Sequence, residues 1–498
     1  MKNTRKILAW VLLLCMTFSL LPSFAAEARA ETIGDSVVIN PMDYGADPTG
    51  AVDSAEAIWA AFQAAKELEA QGKSVTVKFP KGEYHIYKDR AQTREYHTSN
   101  TNSIENPTKT IGILIEGHTN LTVDGSGSLF MMHGNMMALA VVHSENIVLK
   151  DFAWDFAVPT VTEMTVTASG SDYTEYYIPE CFPYTISGNT LVWSSDLSPY
   201  TGRAYWTATG NHNTYAVVAH HPDDEMTRNF GTDISPFTNA RSITELGNNV
   251  IRITYSSKNG TQREHHKPGT VIALCGNAHR ETAGAFTWES KNVLAEGVNV
   301  HFMHGFGWLI QMSEDVTYRN CNLMPRENSG HLTVSFADGL HASGAAGEIR
   351  IENCNFSNTH DDPINFHGTF TRVEQRIDNY TLKLAYIHNQ QGGFPQFHVG
   401  DKVAFYTRDT LESSDNNALY EVAEVVSQPG ENGNNLRTMV VRFTTQVPSF
   451  LSNTVSNGTP KYVAENVTYS PAVTIKGCTF KSVPTRGILC TTRNHRKL

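Results

Sequence analysis

One short motif returns six times along the chain and restricts the fold more than any other feature. It reads Asn120-Leu-Thr-Val-Asp124-Gly, Asn146-Ile-Val-Leu-Lys150-Asp-Phe and Asn292-Val-Leu-Ala-Glu296-Gly in the first half. It continues as Asp315-Val-Thr-Tyr-Arg319-Asn-Cys, Glu348-Ile-Arg-Ile-Glu352-Asn-Cys and Ala472-Val-Thr-Ile-Lys476-Gly-Cys. Apolar residues alternate with polar ones, the period of a half-buried strand and not of a helix. Each unit is too small to bury its apolar face alone, so the units must stack. Asn and Gly at the corners supply the left-handed backbone such turns need. A right-handed parallel β-helix is therefore expected, in preference to a leucine-rich solenoid. Cys321, Cys354 and Cys478 recur at one position of the repeat, which predicts a buried stack of free thiols and not a disulfide framework.

The repeat is preceded by a helix and interrupted twice. Asp53 and Glu56 have the spacing of a capping box, and Ala55, Ile58, Trp59, Phe62 and Ala65 form one apolar stripe that ends before Gly72. Such a helix would plug the open apolar end of the solenoid. The periodicity fails at 162–272 and at 370–468, both polar, strand-like and rich in Gly and Asn turns. These stretches read as two β-barrel-like insertions hung on coil turns, where a solenoid tolerates extra chain. The organisation expected is a leader over 1–30, an N-terminal coil region with its capping helix over 31–161 and the first insertion over 162–272. Central coils over 273–369, the second insertion over 370–468 and a last coil over 469–498 complete it.

Lys2, Arg5 and Lys6 precede an apolar run from Ile7 to Leu21 and the small-residue pattern around Ala28 and Ala30, as in a secretory signal peptide. Leu14 before Cys15 argues against a lipoprotein site, so an exported chain cleaved after Ala28 or Ala30 is expected. The formal charge is −11, and loss of Lys2, Arg5, Lys6 and Arg29 together with Glu27 takes it to −14. That balance excludes nucleic acid as a natural partner, and no second segment could span a membrane. Without a CxxC or a Cys/His cluster, no metal or other cofactor is expected. Oligomeric state is not legible.

The chemistry concentrates in Phe336-Ala-Asp338-Gly-Leu-His341 and Thr359-His360-Asp361-Asp362-Pro-Ile-Asn365-Phe-His367-Gly. Asp338 precedes Asp361 by 23 residues, one coil of the repeat, so Asp338, Asp361 and Asp362 should cluster on one strip. Crowded carboxyls hold a proton to higher pH, as general acid catalysis needs. Glycosidic cleavage uses two such groups, about 6.5–9.5 Å apart when water inverts the anomeric centre. His341, His360 and His367 could orient hydroxyls, and Arg326, Trp308, Asp155 and Arg486 are further candidates for holding a sugar. Asp124, within Asp-Gly-Ser-Gly, reads as a turn cap. A calcium-dependent lyase would want a basic residue beside a uronate, whereas this strip is acidic and histidine-rich.

Several stretches resemble the glycoside hydrolase family 110 exo-α-galactosidases. They are Arg94-Glu-Tyr-His-Thr-Ser-Asn100, Pro107-Thr-Lys-Thr-Ile-Gly-Ile-Leu-Ile115, Trp154-Asp-Phe-Ala-Val-Pro159-Thr, the two aspartate motifs and Pro484-Thr-Arg-Gly-Ile-Leu489. The resemblance runs from about Asp43 to Thr492. It implies a parallel β-helix with two β-barrel insertions and metal-independent, inverting hydrolysis of terminal α-1,3-linked galactose. The implied substrate is a galactose-terminated oligosaccharide or glycoconjugate, of blood group B or linear α-Gal type. Asp338, Asp361 and Asp362 inherit the catalytic role by direct match, with Asp361 or Asp362 opposing Asp338. A carbohydrate-binding β-helix without catalysis, or another β-helix glycosidase such as a polygalacturonase, stays open. Finally, Gly487-Ile-Leu-Cys490 reads as the inward strand of a new coil while Asn494–Leu498 is basic and polar. An interrupted solenoid with an exposed last rung and lowered stability is the expectation.

Overall fold

A computed structural model describes residues 31–497 except 34–35, 211–215, 230–232, 276–279, 414, 432–434, 452–454, 457–458 and 495. The expected leader therefore lies outside the described residues. Among those described, no helix is long and apolar enough to cross a membrane.

The alternating segments wind into a parallel β-helix with three faces. The first begins with the strand Ser74–Lys78 and stacks in register: Val75 on Leu121, Leu121 on Ile147, Ile147 on Val293, then Val316, Ile349 and Val473. The second runs from Tyr84 through Phe130, Trp154, Val300, Leu323 and Phe356 to Phe480. The third runs from Ile113 through Leu139, Ala285, Trp308, Leu340 and Ile364 to Ile488. Period-2 alternation sends these apolar side chains inward, into one continuous core.

The corners behave as their residues dictate. Asn120, Asn146, Asn292, Asp315, Asn320 and Asn353 all have positive φ, between 52° and 61°. Two asparagine ladders follow. Asn146 Nδ2 donates to Asn120 and Asn292 Nδ2 to Asn146, each at 2.8 Å. On the second face, Asn322 donates to Asn299 and Asn355 to Asn322, each at 2.7 Å. Cys321 and Cys354 are buried, Cys478 is partly so, and all three are free.

Helix α1 (Ala55–Glu69) lies against the first coils and buries Ala55, Ile58, Ala61, Phe62 and Ala65. Its cap differs from the expected box: Ser54 holds the N-cap position without a side-chain cap bond. Ser54 Oγ accepts instead from Asp47 N, at 3.0 Å. Asp53 accepts from both Ala55 N (2.9 Å) and Tyr87 N (3.2 Å), tying the helix start to a coil strand. Glu56 turns outward to Arg90.

The two interruptions fold as antiparallel units with their own cores. The first forms an open seven-stranded sheet, from Thr162–Ser169 to Val271–Cys275, with a separate three-stranded sheet over Tyr184–Ser187, Thr190–Ser194 and Thr207–Thr209. Its core includes Met164, Tyr176, Trp193, Ile253 and Leu274. The second closes into a six-stranded barrel whose terminal strands, Phe370–Arg376 and Tyr462–Asn466, pair with each other. Leu382, Phe405, Val441 and Phe443 fill it. The first leaves the helix between the second and third faces and the second leaves after His367, so the third face is entered beside one and left beside the other.

Candidate active site

The turn that leads into the third face carries the aspartates. Ser335 bridges Thr359 and Leu340 pairs with Ile364, so the coil here advances by 24 residues and Asp338 stacks on Asp362. The sequence spacing of 23 had placed Asp361 beneath it. In-register stacking also brings one oxygen of each aspartate within 4.8 Å of the others. That is the closest approach of their oxygens, a different quantity from the carboxyl-to-carboxyl separation that distinguishes inversion from retention.

Around them opens a cleft of about 650 Å³ whose lining includes Asp338, Asp361, Asp362, His341, His367 and Arg486. Asp338 is 2% exposed and sits at its base. Its Oδ2 lies 3.0 Å from Asn365 Nδ2 and 2.7 Å from His341 Nδ1. His341 Nε2 is met by Asn100 Nδ2 at 2.7 Å and by His367 Nε2 at 3.0 Å. Both contacts of Asp338 fall on Oδ2. Burial, opposed by the Asn365 bond and reinforced by Asp362, pushes the Asp338 carboxyl up to about 7. Burial likewise holds His341 down at about 3 and His367 at about 4, so both rings are neutral.

The other two carboxylates have different surroundings. Asp362 is clasped by Arg486 through Nε to Oδ1 (2.9 Å) and Nη2 to Oδ2 (2.8 Å), and Thr485 Oγ1 donates to Oδ1 at 3.0 Å. Asp361 takes Arg228 on Oδ2 at 2.6 Å and Asp362 N on Oδ1 at 3.1 Å. Burial raises its carboxyl and Arg228 opposes the rise. Three carboxyl oxygens this close could bracket a cation, but guanidinium groups already balance two of them.

Four expected residues stand elsewhere. Trp308 is 1% exposed inside the coil, its Nε1 donating to Thr287 and its ring packed on Trp154. His360 is fully buried against the first insertion and not in the cleft, since the bend at 360–361 turns the two neighbouring side chains to different sides. Its ring meets Thr333 Oγ1 at 3.1 Å and His220 Nε2 at 3.2 Å. Asp155 and Arg326 pair at 2.8 Å in a separate cluster with His331, where Asp155 is fully buried. That cluster pins the 325–333 loop and does not line the cleft. Conversely, Asn100, Arg280, Phe306, Asn365, His388 and Gln390 line the cleft without having been singled out. Arg280 donates to Asn100 O at 3.0 Å and lies over the Phe306 ring at 5.0 Å. Strand alternation around His367 could have found Asn365; the rest arrive from distant segments.

A β-helix with buried, arginine-balanced aspartates in a polar cleft is the architecture of a glycoside hydrolase, and the relatives of the chain bear that class out. No protein-family model matches the chain. It is 37% identical over 489 residues to alpha-1,3-galactosidase A of Streptomyces avermitilis, covering 96% of this chain and 75% of that protein. It is 34% identical to alpha-1,3-galactosidase A of Bacteroides thetaiotaomicron, over 86% of this chain and 70% of that one. A Peterkaempfera griseoplana protein of the same name is 36% identical over 92% of this chain, which spans 62% of it. The chain belongs to the α-1,3-galactosidase family, glycoside hydrolase family 110.

Proposed function

We propose that the protein releases terminal α-1,3-linked galactose from oligosaccharides or glycoconjugates, with Asp338 as general acid and Asp361 as general base. The observation that carries the assignment is the contrast between the pair. Asp338 is buried, lines the cleft and holds its proton up to about 7, so it can deliver that proton to the glycosidic oxygen. Asp361 is a largely buried carboxylate that still lines the cleft, with one contact on each oxygen, so it has a lone pair left to take a proton from water. Asp362 has four contacts on two oxygens and a side chain 1% exposed, which suits holding the turn and a sugar hydroxyl over proton transfer. Water then attacks the anomeric carbon as the acceptor sugar leaves. Each transfer contributes about 10²–10⁴-fold.

The test is galactose release from a Galα1,3Gal disaccharide, followed by proton NMR of the first product. Release of β-galactose, abolished in Asp361→Asn, is the expected result. A folded wild type that binds the disaccharide without turnover would establish the non-catalytic alternative. Release of α-galactose first would overturn inversion and point to a covalent intermediate. We further propose that the protein acts outside the cytoplasm, on the strength of the basic, apolar and small-residue pattern before Ala30; fractionation of a producing cell checks it.

A further inference from the structure

The strands Ala216–His220 and Met226–Asn229 form a hairpin at the edge of the first insertion's sheet. The hairpin reaches the rear of the catalytic turn. Arg228 Nη1 lies 2.7 Å from the carbonyl oxygen of His360 and 2.6 Å from Asp361 Oδ2. The two side chains are 11% and 16% exposed. On the same hairpin, His220 meets the His360 ring and its Nδ1 is 3.4 Å from Asn358 Nδ2. The hairpin thus grips residues 358–361 at ring, carbonyl and carboxylate, although it enters the chain more than a hundred residues earlier.

We propose that Arg228 is the positioning residue for Asp361, so that the first insertion is a working part of the catalytic apparatus and not an appendage. The inference rests on Asp361 being the general base. A base must stay ionised, and most of what surrounds this carboxylate opposes that. Burial raises it, and so do Asp338 and Asp362; Arg228 is the cation in contact with it. Arg486 also senses Asp361 but is clasped by Asp362, and His341 is neutral. One guanidinium nitrogen shared between a backbone carbonyl and the carboxylate also fixes the side chain's direction, which a point charge at longer range would not do.

The experiment compares kcat/KM against pH on Galα1,3Gal for wild type, Arg228→Met, Arg228→Gln and Arg228→Lys, with Asp361→Asn as control. Removing the positive charge raises the pH at which Asp361 ionises, so the acidic limb of the neutral variants should move up by about one pH unit. That is about a tenfold loss on the acid side of the profile. Arg228→Lys should keep the limb near wild type while lowering kcat, because the shorter ammonium side chain does not reproduce the shared hold on the His360 carbonyl and the carboxylate. Should Arg228→Met not fold, Arg228→Gln retains a donor for the His360 carbonyl and reads the same limb. A folded neutral variant that is merely slower, with its acidic limb superimposed on wild type, overturns the proposal. Wild-type turnover by Asp361→Asn overturns the base assignment itself, whatever the Arg228 variants do.

Discussion

Asp338 and Asp362 occupy equivalent positions on successive coils, yet one is sealed against His341 and Asn365 while the other is clasped by a guanidinium. That difference sets the pH behaviour. Activity needs Asp338 protonated, so kcat/KM should fall above about 7, and Asp361 ionised, so it should also fall on the acid side. Asp338→Asn should lower kcat by about 10²–10⁴-fold and remove the alkaline limb, which a pH–rate profile on a good leaving group would reveal. The aspartates, His341, His367 and Arg486 were legible because adjacent carboxyls flanked by histidines are costly without a use. Trp308 and His360 misled because a residue type is visible in sequence while the sense of its side chain is not. The same gap explains the coil step: one residue more per turn moved the partner of Asp338 from Asp361 to Asp362.

At the scale of the element, the asparagine corner does two jobs at once. Asn146 takes a φ of 56° and links its neighbours on both sides. Asn146→Ala should cost about 1–2 kcal/mol from lost bonds and a strained left-handed residue, read by urea unfolding. Asn146→Gly should cost less, since glycine relieves the strain but not the bonds. Strands and corners were legible from alternation and turn residues, which are local. The helix cap was not, because Ser54 and Asp53 are claimed by partners at Asp47 and Tyr87. Whether an insertion closes depends on its end strands meeting: Phe370 pairs with Glu465 in one, while the other leaves its edges apart.

Across the whole molecule, the third face is a channel floor with a wall on either side. Arg228 comes from one insertion, and His388 and Gln390 reach the cleft from the other. Gln390 Nε2 donates to Asn102 Oδ1 at 2.6 Å, joining the barrel to the N-terminal segment that carries Asn100. Gln390→Ala should therefore raise KM by about tenfold, the value of one good hydrogen bond, with kcat nearly unchanged in steady-state assays. Sequence could place the insertions but not show that their tips converge, because those contacts join segments up to 288 positions apart. The clasp on Asp362 carries a further consequence. Its guanidinium belongs to Arg486, beyond the entire barrel. A polypeptide emerging from its N-terminus lays down the three acids first and this counter-ion only after the whole barrel has been made. During biosynthesis the acidic strip is thus self-repelling until the coil that carries Arg486 closes over it, so activity waits on that coil.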